Sequence, residues 1–362
     1  MKISITTKAL KAALEIVNKV VPQKSTMLSL CEVLFEGNGD NLVITGGNGE
    51  TFIRESVKCE ATGRCLLPTN LLDLVRMLPE GDVVLETNDS TATLSWDSGT
   101  SSFPVFDPED YPGIPDGGTD VMTIKGKSLL DAVANTVPHA DDNELRPAMQ
   151  GVLIHAENGK VEFVATDTHT LGIHTVTMEH GENFDILVPA QEIKRIAGLT
   201  KPDDEVKIAA NEANVFFRVK DTVLICRTIK SPFPKYRAII PAKFEATLTV
   251  DKDNLLGAIK HTLVCVDKAS GVIKLSLGML ETMIETQDLQ QGMKAREVLA
   301  NATYDGQEMV VGFKGDRLVT CLGSVDGQNI KINLIAPNKP VLITSETSED
   351  MVLIMPVAVK SN

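Results

Sequence analysis

The sequence has no CxxC pair, no apolar run long enough to span a bilayer and no excess of positive charge, and each absence removes a class of protein. Six cysteines (Cys31, Cys59, Cys65, Cys226, Cys265, Cys321) occur singly, four of them inside apolar strand or helix patterns. That usage argues against a zinc ribbon or a disulfide scaffold and for reduced cysteines in the core. The N-terminus has one lysine and no apolar stretch of secretory length. The longest late apolar stretch, MVLIMPVAV at 351–359, falls well short of the roughly 20 residues a membrane helix needs. A cytoplasmic protein with no membrane partner is the expectation. Low-complexity tracts are missing too, and 43% hydrophobic with 23% charged residues describes an ordinary globular chain able to bury several cores.

Signs of catalysis are thin. His169 and His174 form an H-x4-H pair, but in the alternating strand predicted for both, an odd separation puts them on opposite faces. The glycines of GGNGE at 46–50 lack the strand-to-helix context and following lysine of a phosphate loop, so they predict a turn. Asp141, Asp142 and Glu144 lie together on one connecting loop after Pro138, without the second carboxylate cluster that a two-metal site needs. No enzyme, metal or cofactor is expected.

What the sequence does have is a long repeat. ISITTKALKAALEIV at 3–17 is similar to MTIKGKSLLDAV at 122–133 and to ATLTVDKDNLLGAI at 246–259. Each is an alternating strand, a short polar connection and apolar residues at helical spacing. Ile5, Ile124 and Val250 fall at equivalent points, 119 and 126 residues apart. So long a period means a whole domain repeated three times rather than a solenoid. The expected domains are 1–120, 121–244 and 245–362. Within the first, a helix burying Leu10, Ala13, Leu14 and Val17 is followed by strands turning at Gly37-Asn38-Gly39-Asp40, then by a third strand. The pattern then restarts as RCLLP, a helix burying Leu71, Leu74, Val75 and Leu78, and a hairpin at Asn88-Asp89-Ser90. Each repeat is thus two strand, helix, strands halves, an α+β unit with two helices.

The charge is not evenly spread. The six helical windows carry +6 while the rest of the chain carries −20, which together give the net −14. An acidic protein with one repeated basic helical surface suits a polyanion held without base reading.

At this point four motifs carry a family resemblance. ELRPAMQGVLI at 144–154, VATDTHTL at 164–171, SPFPKYRAIIP at 231–241 and the closing VLIMPVAV follow one another, on a three-repeat frame, as they do in the bacterial DNA polymerase III beta subunits, the sliding clamps. The resemblance implies a head-to-tail homodimer, a ring with helices lining a hole around duplex DNA and sheets outside. It also implies no catalysis of its own. Retention by topology needs only loose phosphate attraction, for which the lining candidates are Lys8, Lys11, Lys19, Lys24, Arg76, Lys194, Arg195, Lys201, Lys260, Lys314 and Arg317. The resemblance further implies a pocket for short motifs of the replicative polymerase, the clamp loader and other clamp-binding proteins. Its residues would be Thr166, Thr168, His169, Leu171, Pro234, Ile239, Leu353, Met355, Pro356 and Val357, with Arg146 and Met149 on the lip. Thr168 and Thr170 replace the family's usual glycine and arginine, and Ala148 takes a commonly aromatic place. Phe103 and Val105 would meet Leu263 and Val264 of a second copy. The alternative is a clamp-like interaction scaffold that does not encircle DNA.

Overall fold

The computed structural model describes residues 1–178 and 181–359. Its element order passes three times through one cycle. The first holds β1 (Lys2–Thr6), α1 (Thr7–Val17), β2 (Glu32–Gly47), β3 (Thr51–Pro68), α2 (Leu71–Met77), β4 (Asp82–Thr87), β5 (Thr91–Trp96) and β6 (Gly99–Pro104). The second holds β7 (Thr119–Lys125), α3 (Gly126–Thr136), β8 (Gly151–Glu157), β9 (Lys160–Thr166), β10 (Thr170–Thr177), β11 (Phe184–Pro189), α4 (Ala190–Ala197), β12 (Glu205–Ala210), β13 (Asn214–Val219) and β14 (Thr222–Arg227). The third holds β15 (Ala246–Asp251), α5 (Lys252–Leu263), β16 (Val272–Leu277), β17 (Met283–Asp288), β18 (Met293–Val298), β19 (Thr303–Asp305), β20 (Met309–Lys314), α6 (Gly315–Gly323), β21 (Asn329–Leu334), β22 (Val341–Ser345) and β23 (Met351–Ile354).

Local chemistry explains the helices. Thr6 caps α1 by accepting from the Ala9 amide at 3.3 Å, and Asp251 caps α5 by accepting from the Asn254 amide at 2.9 Å. The cap amides hold the Asp251 carboxyl below its ordinary value. The α1 stripe Leu10, Ala13, Leu14 and Val17 is buried as its periodicity predicts. α2 departs from expectation: Leu71, Leu72 and Val75 are buried, while Leu74 and Leu78 are only half-buried. For Leu78 the cause is Pro79, which pushes it out of helical conformation, to ψ 146°, and ends the helix after seven residues.

The expected turn at Gly37-Asn38-Gly39-Asp40 is corrected as well. β2 runs unbroken through it, paired with an equally continuous β3, and the register merely shifts between Gly39 and Asn41. A Cβ at Gly37 would stand 2.5 Å from the Ala61 carbonyl carbon, and Gly39 has φ +104°. These glycines serve close approach and a bulge, not chain reversal.

The sheets do not respect the cycle boundaries. One runs β6-β5-β4-β1-β3-β14-β13-β12-β7, another β11-β8-β9-β10-β23-β22-β21-β15-β19, and a third β18-β17-β16-β20. Strands of the first and second cycles join at β3 and β14, and strands of the second and third at β10 and β23. Backbone packing accordingly divides the chain into two compact units, Met1–Lys127 with Arg195–Thr228 and Ser128–Lys194 with Ile229–Asn362.

Alternation separates the two faces of the sheet in the second unit. Phe163, Gly172, His174, Val352 and Ile354 point to the face that carries α6 and the turn at 137–139. The opposite face bears two cross-strand rungs, Leu187-Leu153-Val164-Ile173-Met351 and Thr166-Leu171-Leu353-Leu342.

Candidate peptide pocket and basic helix faces

The second rung forms the floor of the expected pocket. Thr166, Leu171 and Leu353 are buried, and Leu171 and Leu353 pack with Ala148, Leu153, Leu187 and Tyr236 in one apolar cluster. Half-buried Met355 leans on that cluster, its amide donating to the His169 carbonyl at 2.8 Å. Over the face lies the segment 229–244, which contributes Ile229, Phe233, Tyr236, Ile240 and Phe244 and leaves Pro234 and Ile239 exposed, Ile239 at 49%. Arg146 and Met149 stand on the neighbouring loop, with Arg146 Nη1 3.5 Å from Thr168 Oγ1.

Two anchors hold the covering segment. The Ile229 amide donates to the Leu187 carbonyl at 2.9 Å. Arg237 pairs with Glu157 at 3.0 Å and Glu162 at 2.9 Å, while the Tyr236 hydroxyl donates to Glu162. Burial, then that carboxylate, pushes the Tyr236 phenol up, and Arg237 holds Glu157 below its ordinary value. An open groove of about 810 Å³ follows the same segment, lined by Leu153, Leu187, Ile229 and Phe233 with His155 and Asp185 at its edge.

Of the expected pocket residues the structure brings Leu171, Leu353 and Met355 into one apolar cluster, which also holds residues not among them. Leu153, Leu187, Phe233 and Tyr236 share the cluster: strand parity with Leu171 could have pointed to Leu153 and Leu187, while Phe233 and Tyr236 lie within the SPFPKYRAIIP motif. Two expected residues are engaged elsewhere. Val357 donates its amide to Gly312 of β20 at 2.9 Å, and the Thr166 hydroxyl closes a turn on the Thr170 carbonyl at 2.6 Å. His169 is not in a strand with His174, as the sequence reading had it. It lies exposed in the turn before β10, whereas His174 is buried, 2.8 Å from Asp350. Among the described residues no cluster of three metal-ligating side chains occurs. Gly46 and Gly47 end β2, and Gly49 turns the chain at φ +94°. Asp141, Asp142 and Glu144 lie on a loop outside the regular elements.

The basic candidates split into free and engaged groups. In the first unit, Lys8, Lys11, Lys19 and Lys24 lie on or just beyond α1 and make no side-chain ion pair among the described residues. Arg76 pairs with Glu15 at 3.1 Å, Arg195 donates to the Lys19 carbonyl, and Lys201 is exposed. In the second unit, Lys194 and Lys260 are exposed, Lys314 donates to the Ser270 carbonyl, and Arg317 lies 3.9 Å from Asp167.

At the expected contact, Phe103 is half-buried on β6 with Val105 just beyond it. Leu263 packs against Gly315 of α6, where a Cβ would meet its Cδ2 at 2.4 Å, and Val264 is 76% exposed.

Three family models match in succession: the N-terminal domain of the DNA polymerase III beta subunit over 1–115, its central domain over 123–235 and its C-terminal domain over 237–358. The chain belongs to the DNA polymerase III beta subunit family. It is a DNA sliding clamp, a non-catalytic accessory subunit of a DNA polymerase. The beta sliding clamp of Synechococcus elongatus is 25% identical over the full length of both chains, and that of Staphylococcus aureus is 24% identical over 94% of each. Solved sliding clamps from Pseudomonas aeruginosa and Bacillus subtilis superpose with TM-scores of 0.94 at 21% identity, each covering 99% of this chain and 100% of the other. The clamp fold therefore survives in a sequence that keeps about one residue in four.

Proposed function

We propose that two copies of this clamp close head to tail into a ring around duplex DNA and tether the replicative polymerase, the clamp loader and other motif-bearing proteins through the pocket on the second unit. The chain would be used as three domains, 1–120, 121–244 and 245–362, close to the spans of the three family models. The observation that carries the ring is strand pairing. β14 joins β3 and β23 joins β10, whereas β6 and β18, which hold the equivalent places in the outer cycles, each end a sheet. An open edge is a template for another strand. Pairing β6 of one copy with β18 of the next would repeat the internal junction, bringing Phe103 and Val105 toward Leu263 and Val264 beside β18. Such a contact joins different patches and is completed only by closure.

Lys8, Lys11, Lys19 and Lys24, which make no side-chain ion pair among the described residues, with Lys194, Lys201 and Lys260, supply phosphate attraction without base reading, so the duplex can slide. A cytoplasmic location goes with that role. The test is retention: clamp loaded onto nicked circular duplex stays bound at high salt and is released when the circle is cut. Retention unchanged by linearisation would sink the ring.

A further inference from the structure

The segments that link successive cycles, 105–120 and 229–244, share a pattern and differ in charge. Phe106, Tyr111 and Ile114-Pro115 in the first correspond to Phe233, Tyr236 and Ile240-Pro241 in the second. The first holds Asp107, Glu109, Asp110, Asp116 and Asp120 with no Lys or Arg; the second holds Lys230, Lys235, Arg237 and Lys243 with no acid. Each crosses an apolar sheet face where two cycles join. Under 105–120 that face carries the rung Phe52-Ile225-Phe216-Ala209, on which Tyr111 meets Phe52 edge to face at 6.4 Å between ring centres. Phe106 is held beside Leu66 by its amide, which donates to the Leu66 carbonyl at 3.0 Å.

The first link is the less satisfied. The Tyr236 hydroxyl has Glu162, whereas that of Tyr111, in a residue only 6% exposed, meets no partner among the described residues. Leu34, Leu66 and Phe106 form one cross-strand rung. Glu32, opposite Pro68, begins the next rung on the same face, about 12 Å from Phe106 by strand spacing. Glu32 makes no ion pair among the described residues, its Oε2 meets no donor, and burial raises its carboxyl above the ordinary value. Phe106 is 40% exposed, and Asp107 and Asp110 stand exposed beside it, also without ion pairs among the described residues. Arg64, on the same face, is already shared by Glu36 at 3.1 Å and Glu109 at 2.7 Å. An accessible ring with uncompensated carboxylates one strand step away complements a cationic side chain close to an apolar one.

We propose that the link at 105–120 is a second docking surface, which takes an extended protein segment carrying Arg or Lys two residues from an apolar side chain. The apolar group lies on Phe106 and Leu66, and the cation reaches Glu32 within the rim of Asp107 and Asp110. The surface uses no residue of the pocket on the second unit, and its charge selects against acidic segments and nucleic acid.

Fluorescence anisotropy tests it on the full chain with a labelled peptide, Leu-Thr-Arg between Gly-Ser flanks, and with its Gln and Glu counterparts in place of Arg. The Arg peptide binds the unaltered clamp about tenfold more tightly than the Gln peptide, and the Glu peptide binds most weakly. Glu32→Gln cuts the Arg preference to about twofold, and Asp110→Lys, at an exposed position, cuts it about threefold. Phe106→Ala weakens the Arg and Gln peptides alike, by about fivefold. Equal affinities in the unaltered clamp, or a preference untouched by both charge substitutions, overturns the surface. An excess of unlabelled peptide bearing two leucines and no charge, suited to the pocket on the second unit, leaves the Arg peptide bound; displacement places the binding in that pocket and overturns the proposal. Thermal unfolding verifies that each variant is folded.

Discussion

The two faces of the second unit's sheet are built from the same strands and behave differently. On one, Phe163 is fully buried, and Gly172 lets His139 approach so closely that a Cβ there would stand 2.3 Å from its ring. On the other, the Leu171-Leu353 rung is covered by a segment attached at Ile229, Tyr236 and Arg237, with Ile239 and Met355 left accessible. One face is fully covered by α6 and the turn at 137–139; the other leaves apolar side chains accessible at Ile239 and Met355. Parity along a strand assigns a residue to one face or the other, so neighbours such as Leu171 and Gly172 meet different surroundings.

The sharpest contrast is in stability. Phe163→Ala removes a fully buried ring and should cost about 3–5 kcal/mol in denaturant unfolding, whereas Ile239→Ala on the other face should cost under about 1 kcal/mol. Comparable losses would erase the distinction.

Next comes pH. Burial lowers the His139 ring from its ordinary 6.5 to about 4, partly opposed by Asp167. The unfolded chain takes up the proton first, so stability present above pH 6.5 is lost as pH falls from 6.5 to about 4, by about 3 kcal/mol. Urea midpoints measured across that range should show the slope, and His139→Leu should lack it.

On the accessible face, Met355→Asp should weaken a leucine-bearing peptide by about 30-fold, or about 2 kcal/mol, with the unfolding midpoint little changed. The smallest effect is Arg237→Ala. Its ion pairs are half exposed, so less than about 1 kcal/mol of stability is at stake, but amide exchange in 229–244 should quicken while that of β9 does not.

Much of this was legible in the sequence. The α1 stripe and the three-cycle frame followed from apolar spacing. What escaped reading depended on distant partners. Gly37 resembles any turn glycine until Ala61 is placed against it, and Leu78 drops out of the α2 stripe because Pro79 ends the helix before it. Arg237 and Tyr236 gain their role only when Glu157 and Glu162 arrive from other strands.

The straddling sheets bear on biosynthesis. Thr51 to Glu55 of β3 pair with 222–226 of β14, a separation of about 170 residues. At roughly 5–20 residues per second, that edge waits about 10–35 s on the ribosome for its partner. The first cycle therefore emerges with one edge of β3 unpaired, and the nascent chain carries that open edge through nearly half of its own synthesis. Slowing translation after residue 120 should lengthen that exposure and raise the demand for a chaperone.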